Sequence, residues 1–236
     1  AEQGACSMDE TARKLLTRGG AKLGLALTEA QVDYFITYLN ELRRWNRKAN
    51  LVGFRTDEAV VRHGILESLT LLKAFEVKPN LRLIDVGTGA GLPGIPLKIA
   101  APDLTITLVE AMRKKVSFLR QVCRLLQVRG ISVLQARAES LHRDPAHREA
   151  YDLVTARAVT RFPETVALCT PFMKREGRLV LPVGLKWLRE AETIRRPDIK
   201  IERVLHLSSD RDIIIIVRTG TVPRETGVEA RPERVT

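Results

Sequence analysis

Leu81-Arg-Leu-Ile-Asp-Val-Gly-Thr-Gly-Ala-Gly-Leu-Pro-Gly94 is the stretch of this sequence that decides its fold. It begins as a short apolar run, which is typical of a buried strand, and continues into a turn that contains Gly87, Gly89 and Gly91. Glycine removes the side chain where a backbone turns tightly and where a ligand approaches. Two prolines follow, and proline suits the first turn of a helix, where unpaired N–H groups can face a ligand. The pattern predicts a strand, a nucleotide-cofactor loop and a helix.

Two classes of cofactor fit this glycine spacing. Counted from Gly89, it is the G-x-G-x-x-G of dinucleotide-binding loops, with Glu110 about twenty residues further on. Counted from Asp85, it is D-x-G-x-G-x-G, which resembles motif I of class I S-adenosylmethionine methyltransferases. Asp85 favours the second class, because a carboxylate beside the turn repels a pyrophosphate but attracts the cationic amino group and sulfonium of S-adenosylmethionine. Glu110 can accept hydrogen bonds from the ribose hydroxyls of either cofactor, so it does not discriminate between them.

The composition limits the class of protein. A chain of 236 residues is long enough for one α/β domain with an extension. Its apolar runs are too short to span a membrane and no signal-peptide pattern opens it, so we expect a protein that does not enter a membrane. Because its few cysteines form no paired pattern, we expect a reducing, cytoplasmic location. The three cysteines, Cys6, Cys123 and Cys169, form no C-x-x-C pair, so neither a metal site nor a disulfide framework is predicted.

The charge of the chain is strongly positive and unevenly distributed. The formal net charge is +11, which favours polyanionic partners such as nucleic acid. Residues 111–150 hold nine Lys and Arg against three acids, and Arg43, Arg44, Arg47 and Lys48 surround Trp45. Either cluster could be no more than a solvated helix face. Taken together, they favour a protein that binds nucleic acid.

Periodicity divides the chain into a helical N-terminal extension at 1–79, a doubly wound domain at 80–219 and a flexible tail at 220–236. In the extension, Thr28-Glu-Ala-Gln31 resembles a capping box before an apolar stripe at 32–42, and Thr56 can cap a second helix that ends near Phe75. In the domain, predicted strands lie at 81–86, 104–109, 131–135, 151–156, 178–183, 199–207 and 213–217, and predicted helices at 92–101, 112–127, 160–173 and 184–194. This alternation predicts a mostly parallel, Rossmann-like sheet, and the last two strands form an antiparallel hairpin.

Five motifs make the chain similar to a known family over roughly residues 28–218. They are Trp45-Asn-Arg-Lys-Ala-Asn-Leu51, Asp85-Val-Gly-Thr-Gly-Ala-Gly-Leu-Pro-Gly-Ile-Pro-Leu97, Arg113-Lys-Lys-Val-Ser-Phe-Leu119, Arg137-Ala-Glu139 and Thr155-Ala-Arg-Ala158. The sequence resembles the RsmG family, also called glucose-inhibited division protein B. The resemblance implies a class I methyltransferase fold with a helical extension, S-adenosylmethionine as donor, and N7 methylation of a guanosine in the decoding-region loop of 16S rRNA. It further implies a monomer that acts on 16S rRNA or on the small ribosomal subunit, without a metal.

The resemblance also implies a set of site residues. Gly87 and Leu92 would contact the cofactor, and Arg157 would lie at the mouth of the active site. With the loop residues, the expected cofactor-binding set is Asp85, Gly87, Gly89, Gly91, Leu92, Glu110, Ala111, Met112, Ala138, Glu139 and Arg157. The family pattern His-x-x-Asp-Ser-Leu corresponds here to His63-Gly-Ile-Leu-Glu-Ser-Leu69, which is one residue longer and has Glu67 in place of Asp.

The chemistry of N7 methylation explains which catalytic groups are expected. Guanine N7 carries a lone pair and no proton, so its attack needs alignment and exclusion of water but no general base. We therefore expect Arg157 to position the reactants and no Ser/His/Asp set. Three alternatives stay open: a methyltransferase with a small-molecule or protein substrate, a non-catalytic ribosome-binding module that retains a cofactor site, and a nicotinamide oxidoreductase, which Asp85 disfavours.

Overall fold

A computed structural model describes residues 2–157, 160–191, 196–208 and 211–218 of the chain. The predicted flexible tail at 220–236 lies outside these residues. The described strands form one seven-stranded sheet in the order β3-β2-β1-β4-β5-β7-β6. They are β1 (Arg82–Val86), β2 (Thr105–Glu110), β3 (Ile131–Gln135), β4 (Tyr151–Ala156), β5 (Met173–Val183), β6 (Ile199–Ser208) and β7 (Arg211–Arg218).

The pairing of the strands confirms the predicted doubly wound sheet. β1 pairs in parallel with both β2 and β4, and the parallel pairing continues to β3 on one side and β5 on the other. β7 lies antiparallel between β5 and β6, so the antiparallel last strand is also confirmed. Because β1 is central, the loop that follows it lies in the crevice at the carboxyl edge, where open α/β sheets bind ligands.

Helices cover both faces of the sheet. One face carries α1 (Glu2–Lys22), α2 (Glu29–Ala49), α5 (Gly94–Ala100) and α6 (Arg113–Leu126). The other carries α7 (Ala138–Leu141), α8 (Phe162–Cys169) and α9 (Leu185–Ala191). The N-terminal helices share one apolar core with β1, β2, α5 and α6, so they form part of the wall of the sheet domain.

The predicted helix at 160–173 is too long. α8 ends at Cys169, a 3₁₀ turn covers Thr170–Phe172, and β5 already begins at Met173. Pro171 explains the early end, because proline has no N–H to continue the ladder of an α-helix and its ring clashes with the preceding turn.

α2 runs from the amino edge of the sheet, where the parallel strands begin, to the carboxyl edge, where they end. The predicted capping box is confirmed, because the Thr28 and Gln31 side chains each bond the backbone of the other. The Gln31 amide also donates to the carbonyls of Ile99 and Ala100, at the end of α5 and therefore at the amino edge of the sheet. From there α2 runs to Ala49, at the carboxyl edge of the sheet.

A run of four short helical pieces follows Thr56, whose hydroxyl accepts the N–H of Ala59 as predicted. The pieces are α3 (Asp57–Ala59), a π-helical segment (Val60–Leu66), α4 (Glu67–Thr70) and a 3₁₀ turn (Leu71–Lys73). The π-helical segment was not predicted. It includes the place where the sequence is one residue longer than the family pattern, and π geometry accommodates one inserted residue in an α-helix. None of the helices in the described part of the chain combines the length and the apolarity that crossing a bilayer requires.

Candidate active site

The glycine loop leaves β1 at the carboxyl edge of the sheet. Gly87, Gly89 and Gly91 all have positive φ angles, of 66°, 60° and 90°. Gly89 is the position that faces open space: a Cβ built there would meet no atom nearer than the Gly87 carbonyl oxygen at 4.0 Å. A larger side chain at Gly89 would therefore be strained by its φ and would also occupy the space above the loop. That space is a cradle open to a ligand.

Asp85 lies beneath this loop and is fully buried. Its Oδ2 accepts hydrogen bonds from the Thr88 hydroxyl at 2.5 Å and from the Gly94 N–H at 2.9 Å, while Oδ1 has no hydrogen-bond partner among the described residues. Burial raises the pKa of Asp85 to about 6, and the bonds from Thr88 and Gly94 partly oppose that rise. We expected unpaired N–H groups at the start of the next helix. That expectation is wrong for Gly94 and Ile95, whose N–H groups bond Asp85 and the Gly91 carbonyl.

Glu110 ends β2 and joins two loops through one carboxylate. Its Oε2 accepts the N–H of Gly89 at 3.0 Å, and its Oε1 accepts the N–H of Met112 at 2.8 Å. The residue is 6% exposed, whereas the Met112 side chain beside it is 56% exposed. An acid that can accept hydroxyl donors therefore adjoins an exposed apolar side chain, a combination that suits a ribose and the base attached to it.

The ends of β2 and β3 bring the remaining predicted residues on this side together. The N–H of Ala136 donates to the Glu110 carbonyl, which fastens the segment after β3 to the end of β2. Ala138 is buried and Glu139 is exposed at the start of α7, immediately beyond this contact. Ala111 is exposed on the neighbouring strand end. Glu110 thus contacts the glycine loop directly, and Ala111, Met112, Ala138 and Glu139 follow the ends of β2 and β3 on the same side of β1.

Arg157 lies on the other side of the loop, directly after β4. Its Nη2 donates to the His63 carbonyl at 2.5 Å and lies 3.3 Å from Oε2 of Glu67, so both of these partners come from the helical extension. The Glu67 carboxylate also lies 3.0 Å from Nδ1 of His63, on the preceding turn. The sequence singled out both Arg157 and Glu67 but did not predict that they pair, because 90 residues separate them.

Two further contacts tie the extension to the loop. The Tyr38 hydroxyl on α2 donates to the Ala90 carbonyl at 2.8 Å, and burial raises the pKa of this phenol well above its ordinary value. A Cβ built at Gly64, in the π-helical segment, would lie 3.4 Å from Cδ1 of Leu92, which is itself 7% exposed. Leu92 is therefore a packing contact between the loop and the extension as well as a predicted cofactor contact. In the described part of the chain, no group of three or more His, Cys, Asp or Glu side chains is arranged to hold a metal ion.

Solved structures with the same architecture confirm the class of fold. A ribosomal protein L11 methylase from Lactobacillus delbrueckii subsp. bulgaricus superimposes with a TM-score of 0.52 at 16% identity, over 67% of this chain and 79% of that one. TrmN from Thermus thermophilus gives a TM-score of 0.54 at 17% identity, over 75% of this chain and 53% of that one. At such identities the likeness shows the fold alone. The seven-stranded sheet and N-terminal helices are those of a class I methyltransferase with a helical extension.

Sequence relatives are much closer. Proteins named ribosomal RNA small subunit methyltransferase G are 38% identical in Roseiflexus sp. (strain RS-1), over 88% of this chain and 94% of that protein, and 41% identical in Geotalea uraniireducens, over 80% and 84%. A third, from Chloroflexus aggregans, is 36% identical over 95% of this chain and 99% of its own length. The family model described as rRNA small subunit methyltransferase G matches residues 31–209. The glycine loop, Glu110 and Arg157 all fall within that match, and the chain belongs to the rRNA small subunit methyltransferase G family.

Proposed function

We propose that this protein transfers the methyl group of S-adenosylmethionine to N7 of a guanosine in 16S rRNA, as a cytoplasmic monomer that acts on the RNA or the small ribosomal subunit. The observation that carries the proposal is the meeting of three strand ends at one edge of the sheet. The end of β1 supplies the open glycine loop, the end of β2 supplies Glu110, and the end of β4 supplies Arg157. Family membership provides the substrate class.

The residues at this edge fit S-adenosylmethionine. Gly87, Gly89, Gly91 and Leu92 would line the part of the cofactor nearest the loop, and Asp85 would add negative charge beneath it. Glu110 would accept the ribose hydroxyls in addition to, or in place of, the two N–H groups that it now holds. Adenine would lie between the Ala111–Met112 segment and the Ala138–Glu139 segment. S-adenosylmethionine supplies an electrophilic methyl group on a positively charged sulfur.

The fit depends most on Gly89, because the space above it is free and its backbone is in the left-handed region. Gly89→Val would place two methyl groups in that space. We expect the variant to lose measurable S-adenosylmethionine binding by calorimetry while its melting curve remains cooperative. The matched control is Gly53→Val, because a Cβ at that exposed position also meets nothing within 4 Å but lies outside the loop.

The rest of the chemistry is positioning. Guanine N7 has no proton to lose, so the protein must align the base with the methyl group and exclude water from the approach. Arg157 is suited to this role because its guanidinium is planar and is fixed by its bonds to His63 and Glu67, and such a group can stack on a base or hold an anion. Burial raises the pKa of Asp85, and the charge of the nearby Arg157 guanidinium opposes that rise.

The direct test is transfer of radiolabelled methyl groups from S-adenosylmethionine to unmodified small subunits, to deproteinised 16S rRNA, to ribosomal protein and to a small-molecule extract. We expect incorporation into RNA, at a single position that becomes sensitive to borohydride and aniline, as N7-methylguanosine is. The two RNA arms decide whether free RNA or the assembled subunit is preferred. Label in protein or small molecules alone would support the alternative methyltransferase, and binding of subunits without any transfer would support the non-catalytic module.

A further inference from the structure

A groove lies where the end of α2 meets the start of α6. It has a volume of about 520 Å³ and is lined by Arg44, Trp45, Lys48 and Ala49 from α2 and by Lys114 from α6. Three of these five lining residues are cationic, one is an indole and none is acidic. The groove therefore brings Arg44 and Lys48, from the basic cluster around Trp45, together with Lys114, from the basic segment 111–150.

The groove lies at the same edge of the sheet as the candidate active site. α2 begins near the end of α5, where Gln31 bonds Ile99 and Ala100, and it ends near the first turns of α6, where Trp45 contacts Phe118. α6 itself begins immediately after Met112, at the carboxyl end of β2. A chain that lies along the groove would therefore be close to the edge at which a target base must enter.

Trp45 is held in one orientation. Its indole Nε1 donates to Oε1 of Glu41 at 2.7 Å, and its ring packs edge-on against Phe118 with the centroids 5.9 Å apart. Glu41 is only 7% exposed, so this hydrogen bond is protected from water. A half-buried indole fixed in this way loses little conformational entropy when a flat ligand contacts it, which makes it suitable for base stacking.

The cations of the groove differ in whether a carboxylate of the protein neutralises their charge. Arg44 bonds the same Glu41 carboxylate, so part of its charge is neutralised within the protein. Lys48 and Lys114 are both exposed and make no ion pair with any carboxylate that the structure describes. Two lysines that make no ion pair among the described residues line the same groove as a fixed indole, and this combination matches a ligand that alternates phosphates and bases.

We propose that this groove binds a single-stranded segment of the substrate RNA, with Lys48 and Lys114 on phosphates and a base stacked on Trp45. RNA binding in this groove would be part of the function proposed above, and the identity of the RNA rests on that function. Binding would hold the segment that flanks the target guanosine, so the groove contributes affinity for RNA and none for S-adenosylmethionine. Charge and the aromatic ring together favour nucleic acid over an acidic peptide, which could use the lysines but would gain little from the indole.

The first experiment removes the two lysines. The double variant Lys48→Gln/Lys114→Gln should bind an RNA fragment from the target loop roughly tenfold more weakly at low salt. The slope of log K against log salt should fall by about 1.4, because each phosphate contact on a single strand contributes about 0.7. The matched control is Lys73→Gln/Lys78→Gln, which removes the same charge near the start of β1, at the opposite edge of the sheet. S-adenosylmethionine affinity should be equal in both variants and the wild type.

The second experiment uses Trp45 as a reporter. The chain has two tryptophans, and Trp187 packs against Phe162 on the other face of the sheet. In a Trp187→Phe background, saturation with the RNA fragment should quench Trp45 emission, and polyglutamate at equal charge should not.

Three results would overturn the groove: wild-type RNA affinity in the lysine variant, an equal loss in the control variant, or unchanged Trp45 emission at saturation. Equal quenching by polyglutamate would remove the assignment to nucleic acid. These outcomes are separate from the failure of the proposed function, which would appear as absence of methyl transfer by the wild type even when RNA occupies the groove.

Discussion

The two sides of the candidate active site are built in different ways. On the glycine-loop side, the connecting bonds join residues that are near one another in sequence: Thr88 and Asp85 are three residues apart, Gly94 and Asp85 nine, and Gly89 and Glu110 twenty-one. On the side of the helical extension, Arg157 bonds residues that are 94 and 90 positions away. The glycine-loop side is therefore held together by contacts within one β-α-β unit. The side that contains Arg157 forms only when the extension packs onto the sheet.

The helical extension is therefore part of the site. It supplies the partners of Arg157 through the π-helical segment and α4, and it contacts the loop through Tyr38 and Gly64. A change on the loop side should act first on the affinity for S-adenosylmethionine. A change on the extension side should act first on the rate of methyl transfer. Variants on the two sides can therefore test this division between affinity and turnover.

The largest effect is expected at Arg157. Arg157→Ala removes the guanidinium that joins β4 to the extension and that we place beside the reacting base. Because misplacement of a reactant by about 1 Å can reduce a rate 100-fold, we expect at least a loss of that order in single-turnover methyl transfer to 16S rRNA. The control is Arg161→Ala, whose side chain is 72% exposed and pairs with Glu164. Wild-type turnover by Arg157→Ala would remove this strand end from the active site.

Asp85 should make the stability of the loop side depend on pH. Its folded pKa is raised from 3.8 to about 6, so its contribution to stability is fully present below about pH 4 and is lost as the pH rises through about 6. Asp85→Asn cannot ionise. Its unfolding free energy should therefore rise relative to that of the wild type by about 2 kcal/mol between pH 4 and pH 7.5. Urea denaturation at the two pH values measures this change, and a constant difference would contradict it.

Glu110 tests the affinity on the loop side. Loss of a charged acceptor for the ribose hydroxyls should cost about 1.5–3 kcal/mol of S-adenosylmethionine binding, which calorimetry on Glu110→Ala would measure. The same substitution leaves the N–H groups of Gly89 and Met112 without their carboxylate, so the free protein should also be less stable. The affinity should therefore be measured well below the melting temperature of the variant. Unchanged affinity under those conditions would mean that Glu110 stabilises the two loops but does not bind the cofactor.

The same division explains which features could be predicted from the sequence. The bounds of β3 and β4 were predicted to the residue, because apolar runs and their flanking residues are local signals. The glycine loop and Glu110 were identified for the same reason. The early end of α8 follows from Pro171, which is also a local signal, but the prediction of a helix at 160–173 gave more weight to the apolar periodicity. The π-helical segment contains the one-residue excess over the family pattern, which is a local signal that did not by itself predict π geometry. The Glu67–Arg157 pair and the groove at Trp45 depend on which distant elements pack together, and no spacing in the sequence encodes that.

The smallest effect, and the sharpest test of the division, is expected at Glu67. Its carboxylate contacts both Arg157 and His63, and its side chain is 21% exposed, so solvent screens part of the interaction. A partly exposed ion pair contributes up to about 1 kcal/mol, and Glu67→Gln keeps the size of the side chain while it removes the charge. We therefore expect kcat to fall by up to roughly fivefold, with the affinity for S-adenosylmethionine changed much less than in Glu110→Ala.

Glu58→Gln is the matched control for Glu67, because Glu58 lies on the same helical run and pairs only with the exposed Arg62 among the contacts that the structure describes. Its kcat should equal that of the wild type. Glu67→Asp restores the charge one methylene short of Arg157, so it should recover part of the lost kcat, which a purely structural role for Glu67 would not explain. If Glu67→Gln instead weakens cofactor binding as much as Glu110→Ala does, both sides of the site hold the cofactor and the division between affinity and turnover is wrong.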